Sequence, residues 1–304
     1  MHAEDVVSEL KKSNAVEAAA LCGSFRQGIE DRHSDMDVWI FLEIGTELSV
    51  RLVVEKILSP QAQSLVIEEG RDDTHVDYVV LNLKCSDCIL NLKFLGLEQL
   101  ADFTAKKPSL DTAYMDDLEN YWTMQILYDR LGSIGQLRKH LELHSIRRVG
   151  DDLYPEMLHR YASFYWRSVF QGVLRGEMNA WRGLMLYLIE LLIAAAYLKN
   201  DTLPPSKKWI LTTHAVQATG SPAPTLAAAL EHVWAADATD VASMLQVYRD
   251  LSEAEVEIFD LDHLPQGFWW RRVFTERLPN IEADPEIQSA VREALNGFLT
   301  GGTP

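Results

Sequence analysis

The sequence predicts an α+β protein in two parts. A mixed β-sheet domain is expected over residues 1–145 and a helical bundle over 146–304. Three observations predict it. Strand-length runs of β-branched, aromatic and small apolar residues, broken by Gly, Asp and Ser, fill the first half. Beyond about residue 145 the apolar residues recur instead at i, i+3, i+4 and i+7. The chain's 304 residues, 47% of them hydrophobic, exceed the roughly 100–200 expected of one domain and can fill two cores.

Taken in order, Asp5 to Lys12 reads as an amphipathic helix with Val6, Val7 and Leu10 on one face. Ala15 to Cys22 is a short apolar run ending in Gly23-Ser24, a strand running into a turn. Met36 to Leu42 is a second strand, and Leu48 to Leu58 has helical spacing and stops before Pro60. Ser64 to Ile67, His75 to Asn82 and Ile89 to Leu95 are further strands. The last two form a hairpin turning at Lys84-Cys85-Ser86-Asp87. Met124 to Tyr128 is one more, closed by Asp129-Arg130-Leu131-Gly132. Helices follow over Leu158–Leu174, Trp181–Leu198, Leu226–Ala236 and Val241–Phe259, separated by Pro204-Pro205 and Gly220-Ser221-Pro222-Ala223-Pro224.

Composition narrows the function. A net charge of −17 repels phosphate backbones, so nucleic acid is not expected as a partner, and the same field favours small cationic ligands. Three cysteines in a chain this long make no disulfide framework, and Cys85-Ser-Asp-Cys88 lacks the further ligands of a zinc site. The first residues show neither a basic nor an apolar leader segment. The run Leu184 to Leu198 contains Glu190 and falls short of the ~20 residues of a membrane span, so it reads as a buried helix. No membrane partner and a cytoplasmic location are expected.

One constellation carries chemistry. Leu21-Cys22-Gly23-Ser24-Phe25-Arg26-Gln27-Gly28 is followed by Ser34-Asp35-Met36-Asp37-Val38-Trp39. Period two in a strand puts Asp35 and Asp37 on one face, where both can hold divalent cations. Such hard oxygen ligands suit Mg²⁺, whose shell is completed by water and substrate phosphates. Gly23 admits close backbone approach of a triphosphate, and Ser24 can hydrogen-bond it. Arg26 reads equally as a phosphate contact and as a solvated residue.

In these residues the chain resembles the polymerase-β-type nucleotidyltransferase superfamily, whose pattern is Gly-Ser, a spacer, then Asp-x-Asp heading a strand. More narrowly it is similar to the bacterial lincosamide and aminoglycoside nucleotidyltransferases. The resemblance extends loosely to Gln125–Gly132 as a last strand and turn. It implies a nucleotidyltransferase domain followed by a helical acceptor-binding one, with Gly23 and Ser24 holding the triphosphate and Asp35 and Asp37 the metal. The implied reaction moves AMP from ATP, or another NMP from its NTP, to a hydroxyl of a small acceptor, possibly such an antibiotic. A homodimer is implied by relatives that share a site between two chains.

The family's third carboxylate is missing. Its phrase matches Leu90-Asn91-Leu92-Lys93-Phe94, which puts Asn91 at the acid's position. An amide oxygen can still ligate a cation but takes no proton near neutral pH. With the hairpin turning near Cys85–Cys88, Asn91 faces residue 81 or 82, leaving Asp77 about 13–16 Å along the strand. Asp77 stays open as a replacement acid, with Asp87 and Glu98 behind it. Two alternatives to small-molecule transfer follow: a protein-modifying transferase, or a degenerate site that binds nucleotide or a partner without turnover. In the helical half, Arg175-Gly176-Glu177 and Lys207-Lys208-Trp209 also resemble phrases of these enzymes. Glu190 reads as a core ion pair or a cleft acid. Gly267–Arg272 reads as a packing anchor, and His33 as a loop residue.

Overall fold

The computed structural model describes residues 8–27, 34–43, 65–72, 75–84, 89–107, 112–143, 146–237 and 240–259, with a few isolated positions besides. The expected helix over Leu48–Leu58, the Cys85–Cys88 turn, His33 and the Gly267–Arg272 cluster lie outside the described residues. Of the first expected helix, Ser8–Leu10 is described, and it is helical. The fold is α+β, and the chain divides into two compact units. One unit holds Met1–Lys107 and Asp116–His144, the other Pro108–Met115 and Ser145–Pro304. The segment 108–115 thus groups with the helical unit rather than with the sheet.

The first unit is a six-stranded mixed sheet. Its strands are β1 (Val16–Cys22), β2 (Met36–Leu42), β3 (Leu65–Asp72), β4 (His75–Lys84), β5 (Ile89–Gly96) and β6 (Gln125–Asp129), ordered β3-β4-β5-β2-β1-β6. Only β2 and β5 run parallel; the other neighbours are antiparallel. Strands β1 and β2 are buried on both faces, which is why VWIFL reads as a continuous apolar run and VEAAALC as one broken only by Glu17. A five-residue helix α1 (Gly23–Gln27) leaves β1 directly. Helices α2 (Glu98–Ala105), α3 (Thr112–Thr123) and α4 (Ser133–Leu143) follow the strands. Buried Glu17 on β1 pairs with Arg130 after β6, whose Nε lies 2.9 Å from Glu17 Oε2, tying the edge strand to the centre.

The second unit is helical: α5 (Ile146–Ser168), a π-turn over Val169–Val173, α6 (Met178–Lys199), α7 (Thr213–Gln217), α8 (Ala223–Ala235) and α9 (Val241–Ile258). The helix expected to end at Leu174 begins earlier and passes through Pro155 before the π-turn. Contrary to the expectation from the run Leu184–Leu198, α6 has 22 residues and is long and apolar enough to cross a membrane. Of its most apolar window 61% is buried, against α5, α8 and α9. Trp181, Met185, Leu188 and Leu192 are at most marginally exposed, so α6 is the core helix of this unit.

At the centre of the unit is a polar knot. Trp181 Nε1 donates to Tyr248 Oη at 3.1 Å, and Tyr248 Oη and Ser168 Oγ share a 2.8 Å hydrogen bond. Beside it lies a second buried polar cluster, in which Tyr161 faces Glu255 and Tyr165 faces Ser252. Burial pushes the Glu255 carboxyl well above the ordinary carboxylate range, with Tyr161 pulling the other way. Asp240 caps α9, accepting from the N–H groups of Ala242 and Ser243.

Candidate functional site

Register builds the site. Cys22 of β1 pairs with Asp37 of β2, Asp37 with Asn91 of β5, and Asn91 with Asn82 of β4. In-register neighbours share a face, so this row crosses four adjacent strands on one side of the sheet. Asp37 and Asn91 are half-buried at the mouth of their strands, where five buried residues of β2 begin. Asn91 is therefore beside Asp37, in the place at which a third acid was expected.

Gly23 closes the other side of Asp37. Its φ of +66° lies in the left-handed region that favours glycine, and a Cβ there would collide with Asp37 Oδ2. The turn from β1 into α1 thus lays bare backbone against the carboxylate. Ser24 follows and is buried at 4% exposure, while Arg26, two residues on, is exposed. Asp35 is half-buried and stands one residue ahead of β2, whereas Asp37 lies within it. The structure brings Gly23, Asp37 and Asn91 together and leaves Arg26 on the surface.

Of the candidate replacements for the third acid, Asp77 and Glu98 do not reach the row. Asn82 faces Asn91, as the hairpin spacing predicts, and Asp77 lies five residues further along β4, about 16 Å away. Glu98 begins α2 beyond the opposite end of β5 and is packed against Gly96. Asp87 lies outside the described residues. Among the described residues no three or more His, Cys, Asp and Glu side chains are gathered for a metal.

Three residues on this face escaped the sequence reading. Lys93 pairs in register with Trp39, and its Nζ lies 4.4 Å from the Trp39 ring centroid. Tyr121 of α3 meets Trp39 edge-on at 5.2 Å. Lys93 is two residues beyond Asn91, so strand alternation alone puts both on one face; their alignment with β2 needed the parallel pairing. Cys22 is buried, and burial followed by the Asp37 charge pushes its thiol up, with Lys93 opposing. Burial also raises the Tyr121 phenol, followed by Asp117 and Cys22. A cation and a carboxylate therefore act on the same buried thiol.

In the helical unit, Glu190 is half-buried on α6. Burial raises its carboxyl and Lys207 pulls it back, while Lys207 and Lys208 are themselves exposed.

No family model and no curated protein matches the chain. Among solved structures it is similar to a nucleotidyltransferase-like protein from Exiguobacterium sibiricum. That likeness has 12% identity and a TM-score of 0.43, covering 98% of this chain and 90% of the other. It is also similar to spectinomycin adenyltransferase from Enterococcus faecialis, solved with ATP and spectinomycin. Here identity is 12% and the TM-score 0.36, over 84% of this chain and the whole of the other. Likeness at these values assigns no residue a role.

Proposed function

We propose that the sheet unit is a nucleotidyltransferase that moves AMP from ATP to a hydroxyl of a small acceptor. The observation that carries this reading is the juxtaposition of Asp37 with Asn91 on parallel strands and with the bare backbone of Gly23. The missing side chain of Gly23 lets its backbone lie directly against the Asp37 carboxylate, and the buried Ser24 adjoins it. Asp35, Asp37 and the Asn91 amide oxygen form an all-oxygen donor set of two charges, which suits an ion that keeps water and phosphate ligands. Magnesium held there would neutralise charge on the phosphates and orient them. Lys93 adds a positive charge to the same face.

In the reaction the acceptor oxygen forms a bond to the α-phosphorus, the bond from that phosphorus to the bridging oxygen breaks, and pyrophosphate leaves. The hydroxyl proton goes to water or to the departing pyrophosphate, because Asn91 accepts none near neutral pH. Asp37 and Asn91 act by positioning and charge. The acidity of the chain favours a cationic acceptor, for which an aminoglycoside- or lincosamide-like compound is the class tested first. The cytoplasm is the compartment in which this reading supplies the ATP.

Asn91 favours a second reading, a protein that binds nucleotide and a partner without turnover. Pyrophosphate release with each NTP, Mg²⁺ and a panel of antibiotics separates the two, with Asn91→Glu run in parallel. Release dependent on one compound supports the transferase. Mg·ATP binding with silence in both proteins supports the binding protein, and no nucleotide binding at all overturns both.

A further inference from the structure

The helical unit carries an open groove of about 420 Å³ that the sheet-unit reading does not use. Its lining is Arg167 from α5, Phe170 and Gln171 from the π-turn, and Asn179, Gly183 and Leu184 from α6, with Ala180 between them. A π-turn adds a residue to one turn, which rotates the following side chains by about 100° from α-helical register. Such turns recur at functional sites. Here the turn is held from behind: a Cβ at Gly172 would collide with Trp181, and Met244 is close behind it.

The chemistry of the groove has a sign. None of its lining residues is acidic, although the chain has a net charge of −17. Arg167 is exposed and lies 5.1 Å over the Phe164 ring, which is itself packed on Tyr187 at 4.5 Å. Arg175, also exposed, stacks over Phe170 at 4.3 Å. A guanidinium has five N–H donors, which leaves Arg167 able to engage an anion in bidentate fashion. The carboxamides of Gln171 and Asn179 supply further donors. Exposed Gly183 has open space where a Cβ would stand, so the floor of the groove is bare helix. Arg175 and Glu177, which follow the π-turn, do not themselves line the groove.

We infer that this groove binds a small anion with a flat apolar body, an aryl phosphate or aryl carboxylate, with Arg167 taking the charge, Gln171 and Asn179 donating beside it, and Phe170 and Leu184 the ring. The groove is lined by residues of the helical unit alone, none of them in the row around Asp37, and it is proposed as a site additional to that of the transfer reaction.

Titration of the full chain with phenyl phosphate, benzoate, phenol and inorganic phosphate, followed by calorimetry or ligand-detected NMR, tests it. Expected are millimolar or tighter binding of phenyl phosphate or benzoate and a loss of about tenfold or more for phenol and for phosphate alone. The stronger aryl anion tells the phosphate source from the carboxylate one. Arg167→Ala is expected to weaken binding about tenfold. Gly183→Leu, which fills open space on an exposed helix, is expected to abolish binding with no fall in melting temperature. Asp37→Asn is expected to leave it unchanged, so failure of the groove and failure of the transferase reading are told apart. Equal binding of phenol, undiminished binding in Arg167→Ala and Gly183→Leu, or no binding of either aryl anion at millimolar concentration overturns the inference.

Discussion

The mouth of the sheet unit and the core of the helical unit both set a carboxylate among apolar residues, with opposite access to water. Asp37 is half-buried at the head of β2, beside an amide and a glycine. Glu255 is 3% exposed among Tyr161, Tyr165 and Ser252. At the mouth, water and ligands can solvate a charge. In the core, burial favours the neutral acid. The same kind of side chain is thus open to cations in one place and a buried polar filler in the other, and access decides which.

The comparison breaks most visibly at Asp37. Asp37→Ala is expected to lower pyrophosphate release by at least about 10²-fold, the scale of losing one charge-organising group. Its melting temperature should hardly move; an unchanged rate would remove the mouth from the chemistry. Gly23→Ala comes next. It forces a Cβ into the left-handed region and into Asp37, an expected cost of roughly 1–2 kcal/mol in urea unfolding together with a loss of activity.

Glu255→Gln sharpens the other side. Because the folded carboxyl is raised, its contribution is fully present below the unfolded value of about 4.3 and is lost as pH rises towards the folded one. Wild type should therefore lose stability relative to Glu255→Gln as pH rises from about 4, measured by urea unfolding across that window. Equal slopes would mean that the core acid ionises as freely as one in water. Smallest is Trp234→Ser: this ring is 64% exposed, and the change is expected to stay within about 0.5 kcal/mol.

Much of this was legible in the sequence, for physical reasons. β2 was readable to the residue because a strand buried on both faces is a continuous apolar run, and Asp37 inside it stood out. The facing of Asn91 and Asn82 followed from a hairpin, whose register is local. The parallel partnership of β2 and β5 was not legible, since no turn fixes it, and with it went Lys93 over Trp39. Helices α3 and α4 were missed because polar and small residues interrupt their apolar faces, as in TAYMDDLENYWT. The π-turn leaves no periodic mark distinct from a helix. The isolated Gly172 was its one sign, and it gains meaning only once Trp181 is seen against it.

The pairing of Asp37 with Asn91 also bears on how the protein reaches its native state. β1–β2, β3–β4 and β4–β5 join strands consecutive in the chain, whereas β2–β5 and β1–β6 close long stretches of it. Closing such stretches costs entropy before any contact repays it, which slows folding. The candidate site straddles one of these late seams. In refolding followed by pulsed hydrogen exchange, the hairpin β4–β5 is expected to be protected before the backbone amides of the β2–β5 seam, so the row around Asp37 and Asn91 should be among the last parts of the sheet to form.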